Sequence, residues 1–151
     1  MLADEAGGRE LLVAAQTGAG KTVAYGLAIA ADLLEGAERL PQAGAPLALI
    51  VAPTRELALQ VEDSLKMFTK FSPLRVGVMY GGVGYGAQTE KIRAGMDIWV
   101  ATPGRLLDFL ERGDLSLNKI EMLVLDEADR LLDMGFLPDV RRIINQCPKE
   151  R

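Results

Sequence analysis

Two short segments carry residues whose types and spacing suit phosphate chemistry. Residues 15–22 read Ala-Gln-Thr-Gly-Ala-Gly-Lys-Thr, and residues 126–129 read Asp-Glu-Ala-Asp. In the first segment, Gly18 and Gly20 let backbone N–H groups turn inward toward an anion. The lysine that follows suits the β- and γ-phosphates, and the threonine after it suits Mg²⁺. The segment therefore predicts a cradle for a nucleoside triphosphate.

The surroundings of this cradle match the structural context that it requires. An apolar run at Leu11–Ala14 predicts a strand before it, and Val23–Leu34 predicts a helix after it, whose N-terminal dipole favours an anion. Ala15 stands where the motif usually has its first glycine. The predicted nucleotide-binding residues are Ala15, Gln16, Thr17, Gly18, Ala19, Gly20, Lys21 and Thr22.

The second segment follows Met122–Leu125, an apolar run typical of a strand buried on both faces of a parallel sheet. Asp126 would then sit at the carboxyl end of the strand, where α/β sheets bind ligands, and would serve Mg²⁺ together with Thr22. Glu127 could orient or deprotonate the attacking water. An acidic helix start is the alternative for this pair alone. Lys21, Asp126 and Glu127 are the predicted catalytic residues.

Three further segments follow apolar strands and suit a nucleic-acid phosphate. Pro53-Thr54-Arg55 and Thr102-Pro103-Gly104-Arg105 each offer a threonine placed to cap the next helix, free backbone N–H groups and an arginine. Gly81-Gly82 would let a backbone approach closely in the same region. Each segment alone is an ordinary cap or turn, but together they predict one binding surface.

Composition restricts the class of protein. With 151 residues, no histidine and one cysteine, the chain predicts a single α/β domain without an internal disulfide, a zinc site of ordinary ligands or histidine catalysis. No apolar run is long enough for a membrane span, and no signal peptide is evident, so a cytoplasmic protein is expected. The net charge of −4 argues against a strong nonspecific attraction for nucleic acid.

Hydrophobic patterns predict alternating strands and helices, and hence a parallel sheet with helices on both faces. The helix at 54–70 should bury Ala58, Val61, Leu65 and Phe68. Strands are expected at about 10–14, 47–52, 74–80, 97–101 and 121–126. Helices are expected at about 21–35, 54–70, 84–94, 103–112 and 128–146, the last broken near Pro138.

The order of these motifs resembles that of the first RecA-like domain of DEAD-box RNA helicases. The cradle is similar to motif I of that family, Pro53–Ala58 to motif Ia, Thr102–Arg105 to motif Ib and Asp126–Asp129 to motif II. Gly81-Gly82 resembles the double-glycine motif. The resemblance runs from about residue 8 to the end of the chain, and it implies a RecA-like P-loop NTPase fold.

The resemblance also implies a function and roles for single residues. ATP hydrolysis with Mg²⁺ would drive RNA unwinding or remodelling of RNA–protein complexes, and Asp129 would couple the ATP site to a Ser-Ala-Thr segment. One RNA strand would be held through its backbone, with little sequence preference. The implied RNA contacts are Pro53, Thr54, Arg55, Gly82, Thr102, Pro103 and Arg105.

Parts of the family pattern are not found between residues 1 and 151. The adenine-reading Q motif, the Ser-Ala-Thr segment and the second RecA-like domain are absent, so the chain is expected to be a partial helicase ATP-binding domain without its C-terminal strands. By resemblance, Leu11–Ala14 would then lose both neighbouring strands. It should pair with another available strand, self-associate through the exposed edge, or leave the phosphate loop poorly ordered, and a longer chain should melt several degrees higher.

Three alternatives remain open. A GTPase would need a guanine-reading Asn-Lys-x-Asp, to which Asn118-Lys119-Ile120-Glu121 comes near. A DNA-directed helicase or translocase could share the same core. The chain by itself could also be a weak nucleotide-binding module without turnover.

Overall fold

The computed structural model describes residues 45–148 in full, the backbone of residues 2–6 and 9–13, and Gly26. The strands are β1 (Leu2–Ala6), β2 (Arg9–Val13), β3 (Ala48–Val51), β4 (Val76–Met79), β5 (Ile98–Ala101) and β6 (Met122–Leu125). The helices are α1 (Arg55–Thr69), α2 (Gly86–Ala94), α3 (Pro103–Arg112), α4 (Ala128–Asp133) and α5 (Leu137–Gln146). None of the helices in these ranges is both long and apolar enough to cross a membrane.

The strands form one sheet in the order β1-β2-β6-β3-β5-β4. All neighbouring pairs are parallel except β1 and β2, which are antiparallel. Side chains of β3, β5 and β6 alternate between two buried clusters, as a sheet covered on both faces requires. Helix α1 packs on one face, and helices α2 to α5 contribute to the cluster on the other. The predicted parallel α/β sheet with helices on both faces is confirmed.

Helix α1 buries Ala58, Val61 and Leu65 as predicted, whereas Phe68 is half-buried. A Cβ added to Gly26, which is helical and buried, would lie 3.0 Å from the Phe68 ring. The remainder of the helix predicted at 21–35 lies outside the described residues. Gly26 therefore marks a close contact with α1.

The helix predicted at 128–146 is two helices, and the break comes before Pro138. The chain turns between Met134 and Phe136, where Gly135 has a φ of 85°. Pro138 lies in the first turn of α5. Proline is tolerated there because the first turn of a helix needs no intrahelical N–H donor.

Strand β1 was not predicted, and it changes the surroundings of β2. The sequence-based expectation gave Leu11–Ala14 two unpaired edges. In the structure, β2 pairs with β6 in the register Leu11↔Leu123 and with β1 in the register Leu11↔Asp4. Both edges of β2 are thus paired. Pairing with another available strand was the first of the three expected outcomes, and it leaves β2 no open edge for self-association.

Gly77 supports the central packing of the sheet because it leaves space for Trp99. A Cβ at position 77 would lie 2.8 Å from Cζ3 of Trp99, whose side chain is fully buried. We therefore expect Gly77→Ala to lower the free energy of unfolding by about 1–3 kcal/mol through overpacking. Gly84→Ala is the matched control, since a Cβ there has nothing within 4 Å. Urea unfolding of both variants tests this, and equal stabilities would contradict it.

Candidate functional site

The five parallel strands end in register on one row. Val13 is in register with Leu125, Leu125 with Val51, Val51 with Ala101, and Ala101 with Met79. Adjacent strands lie about 4.8 Å apart, so the row is roughly 19 Å wide. The chain therefore leaves every parallel strand at the same edge of the sheet.

The order of the strands divides this edge into two halves. At one end, the chain leaves β2 toward residues 15–22 and leaves β6 at Asp126. At the other end, β3 leads to residues 53–55, β5 to residues 102–105 and β4 to residues 80–82. The triphosphate segments thus leave from neighbouring strands, and the segments predicted to bind nucleic acid leave from the other three.

Asp126 is fixed at the boundary between the two halves. It is fully buried, and its backbone N–H donates to the carbonyl of Val51 at 2.9 Å. This hydrogen bond continues the β3–β6 ladder by one residue, so the carboxylate is attached to a rigid element. Mg²⁺ needs few protein carboxylates because it keeps much of its water, and a single buried aspartate at this position fits such a site.

Glu127 has an unusual backbone conformation. With φ 49° and ψ 57° it is left-handed, and it is the one non-glycine residue with positive φ in the described part of the chain. Its carbonyl accepts hydrogen bonds from the N–H groups of Arg130 and Leu131, which start α4. Its carboxylate lies 3.6 Å from the Arg130 guanidinium. The conformation turns the chain from strand to helix within two residues.

This left-handed turn should cost stability for any residue with a Cβ. We expect Glu127→Gly to be about 1 kcal/mol more stable toward unfolding than Glu127→Ala, because glycine adopts this conformation without the steric penalty. Both variants lose the carboxylate and its ion pair, so their difference isolates the backbone. Thermal or urea unfolding of the two proteins measures it. A glycine variant no more stable than the alanine variant would show that position 127 is unstrained.

The segment after β3 starts α1 as the sequence predicted. Thr54 is the N-cap residue, and its hydroxyl accepts a hydrogen bond from the N–H of Leu57 at 3.2 Å. Pro53 is buried. Arg55 is exposed, and its guanidinium lies 4.7 Å from the centre of the Tyr80 ring. Arg55 thus links the ends of β3 and β4 and offers a cation at the surface.

The segment after β5 differs from the prediction at its threonine. Thr102 occupies the N-cap position of α3, but its side chain makes no capping hydrogen bond. Pro103 takes the first turn of the helix and fixes its φ there, which helps to start α3 without a side-chain cap. The backbone N–H of Thr102 donates to the carbonyl of Met79 at 3.1 Å, so this segment is tied to the end of β4.

Arg105 lies inside the protein rather than on the surface. Its side chain is only 6% exposed, and its guanidinium donates to the side chain of Gln88 at 3.1 Å and to the carbonyl of Val83 at 2.7 Å. The same group lies 4.0 Å from the centre of the Tyr85 ring. Sequence reasoning did not identify Gln88 or Tyr85, because no local pattern connects them to Arg105.

Other predicted residues fall at the surface or outside the described ranges. Asp129 is exposed in the first turn of α4, and Gly82 is exposed with φ 85°. Residues 15–22, including Lys21 and Thr22, lie outside the described residues. Asn118–Glu121 precede β6, and Glu121 donates through its N–H to the carbonyl of Leu47 before β3. The near-match to a guanine-reading motif therefore lies at the opposite edge of the sheet.

Comparison with known proteins agrees with this arrangement. The model of the DEAD/DEAH box helicase family matches residues 2–151. ATP-dependent RNA helicase vasa of Drosophila melanogaster is 47% identical over 137 residues, which are 91% of this chain and 21% of that protein. ATP-dependent RNA helicase RhlB of Pseudomonas aeruginosa is 47% identical over 143 residues, 93% of this chain and 36% of that protein. ATP-dependent RNA helicase DBP2 of Chaetomium globosum is 44% identical over 144 residues, 95% of this chain and 25% of that protein.

The chain spans between 21% and 36% of the length of these relatives. The family match, in contrast, extends over nearly the whole chain. The strand-end row, the buried Asp126 and the family match all agree: this chain belongs to the DEAD/DEAH box helicase family.

Proposed function

We propose that this chain forms the first RecA-like domain of an ATP-dependent RNA helicase, where it binds ATP with Mg²⁺ and one strand of RNA. The observation that carries the proposal is the row of strand ends, with Val13 and Leu125 in register at one end and Met79 at the other. Nucleotide and RNA would then bind to the same rigid edge, no more than about 19 Å apart. The similar proteins named as ATP-dependent RNA helicases support this proposal.

In the nucleotide half, residues 15–22 would hold the triphosphate. Lys21 would contact the β- and γ-phosphates, and Thr22 and Asp126 would hold Mg²⁺, which neutralises charge on the phosphate oxygens. Asp126 is suited to this role because it is fully buried and attached to β3 by its backbone. Glu127 would orient the attacking water, and Asp129 would couple the site to the second domain.

In the RNA half, the contacts would be made to the sugar–phosphate backbone. Pro53, Thr54, Arg55, Gly82, Thr102 and Pro103 all lie at or beside the ends of β3, β5 and β4. Arg55 offers an exposed cation there, and helix α3 starts there. The N–H groups in the first turn of a helix have no intrahelical partner, and they suit an anion. Backbone contacts position a strand without reading its bases, so little sequence preference is expected.

Further partners follow from the same proposal. A second RecA-like domain would complete both sites, and a cytoplasmic location would supply ATP and RNA. Self-association through a sheet edge is also proposed, with the outermost described strands β1 and β4 as its edges. Sedimentation of this chain over a range of concentrations tests that last proposal, and a monomer at every concentration would contradict it.

The experiment for the main proposal measures ATP turnover in a protein that joins this chain to a second RecA-like domain. Single-stranded RNA should stimulate turnover, and DNA of the same sequence should not, because a family of RNA enzymes is expected to read the 2′-hydroxyl. Asp126→Ala is the inactive control. Equal stimulation by DNA would favour the DNA-directed alternative, and no stimulation by either would contradict RNA-dependent activity.

A further inference from the structure

The loop between β4 and α2 contains three glycines, and a fourth begins α2; the packing of this domain explains none of them. Gly81, Gly82, Gly84 and Gly86 are exposed, and a Cβ added to any of them would meet nothing within 4 Å. Among them only Gly82 has a positive φ, of 85°. Ordering such a glycine-rich loop has a high entropic cost. Something other than its own packing must therefore hold the loop in one conformation.

The buried guanidinium of Arg105 contacts this loop at several points. It donates to the carbonyl of Val83 in the middle of the loop and to the side chain of Gln88 just after it. Gln88 in turn donates to the carbonyl of Tyr80, at 3.1 Å, where the loop begins. Arg105 thus connects helix α3 to the middle of the loop directly, and to its start by way of Gln88.

The Tyr85 ring adds a contact near the end of the loop. The Arg105 guanidinium lies 4.0 Å from the ring centre, within the range of a cation–π interaction. The Tyr85 hydroxyl donates to the Asp108 carboxylate at 2.9 Å, and that carboxylate also lies 3.9 Å from Nε of Arg105. Arg105 and Asp108 are both on α3, so the loop is fastened to a rigid helix.

We infer that Arg105 is a positioning residue, which orders the loop at residues 81–85 for RNA and does not itself donate to a phosphate. The inference rests on the proposed RNA-binding function. If the Arg105 guanidinium moved away from Val83 and Gln88 to bind a phosphate, the buried side chain of Gln88 would lose a hydrogen-bond donor. The planar fork of arginine suits two divergent acceptors, whereas lysine offers a single point charge.

The first test needs no RNA. NMR backbone order parameters of residues 81–85 should fall from about 0.85 in the wild-type chain to below about 0.6 in Arg105→Ala, because the loop loses hydrogen bonds to a charged group. Gln88→Ala should show the same effect without a change of charge. Arg112→Ala is the matched control, since Arg112 also lies 4.5 Å from the Tyr85 ring but forms its hydrogen bond with Asp114. The order parameters of this variant should stay at the wild-type values.

The second test separates positioning from direct contact by the salt dependence of RNA binding. Loss of a direct phosphate contact should reduce the slope of log affinity against log salt by about 0.7 for a single strand. Arg105→Ala and Arg105→Lys should both weaken binding while keeping the wild-type slope. Arg55→Ala should reduce the slope, because Arg55 is exposed and proposed to contact the strand directly.

The outcomes of the two tests are distinct. Unchanged order parameters in the free loop would overturn the ordering role of Arg105. A reduced slope for Arg105→Ala, or rescue of binding by Arg105→Lys, would overturn the claim that Arg105 makes no direct phosphate contact. Absence of RNA binding by the wild-type protein would instead contradict the proposed function, while the order parameters would still show whether Arg105 orders the loop. If Arg105→Ala does not fold, the charge-neutral Gln88→Ala variant provides the same comparison.

Discussion

Glu127→Gln is expected to slow ATP hydrolysis by about 10²–10⁴-fold while leaving ATP affinity nearly unchanged. The amide keeps the size of the side chain but cannot accept the proton of the attacking water. Its effect should therefore fall on the chemical step and not on binding of the ground state. Single-turnover rates and nucleotide affinity, both measured in the two-domain protein, give the two quantities separately.

Lys21→Ala is the contrasting variant for this prediction. Lys21 is proposed to contact the phosphates in the ground state, so its loss should weaken nucleotide affinity as well as turnover. Weak binding by Glu127→Gln at an unchanged single-turnover rate would mean that the two roles have been assigned the wrong way round.

The second large effect concerns this chain without a partner domain. We expect it to hydrolyse ATP about 10³–10⁵-fold more slowly than the two-domain protein, even with RNA present. An arginine finger accelerates phosphoryl transfer by about this factor, and here it would come from the second domain. Steady-state turnover of the chain alone and of the two-domain protein measures the ratio. Comparable RNA-stimulated rates would show that this chain contains all the catalytic groups it needs.

Much of the parallel sheet could be predicted because its strands are continuous apolar runs. Met122–Leu125 and Ile98–Ala101 are buried on both faces, so their sequences need no polar alternation. Strand β1 could not be predicted in this way. Its sequence, Leu-Ala-Asp-Glu-Ala, contains no β-branched or aromatic residue, and it becomes a strand through its pairing with β2.

The candidate site could be predicted where a strand end defines it and not where distant residues meet. Asp126 lies where the apolar run ends, and a local pattern is enough to find it. The buried position of Arg105 depends instead on Val83 and Gln88, which are 22 and 17 residues away along the chain. The left-handed backbone of Glu127 was also not predicted, because glutamate has no preference for that conformation.

The division of the sheet edge into a nucleotide half and an RNA half is tested most directly by amide chemical shifts. A non-hydrolysable ATP analogue with Mg²⁺ and a single-stranded RNA would be added separately to this chain. We predict that the nucleotide shifts residues 14–22 and 126–129, and that the RNA shifts residues 53–55, 81–86 and 102–105. Shifts from both ligands in one half of the edge, or RNA shifts confined to α5, would contradict this account.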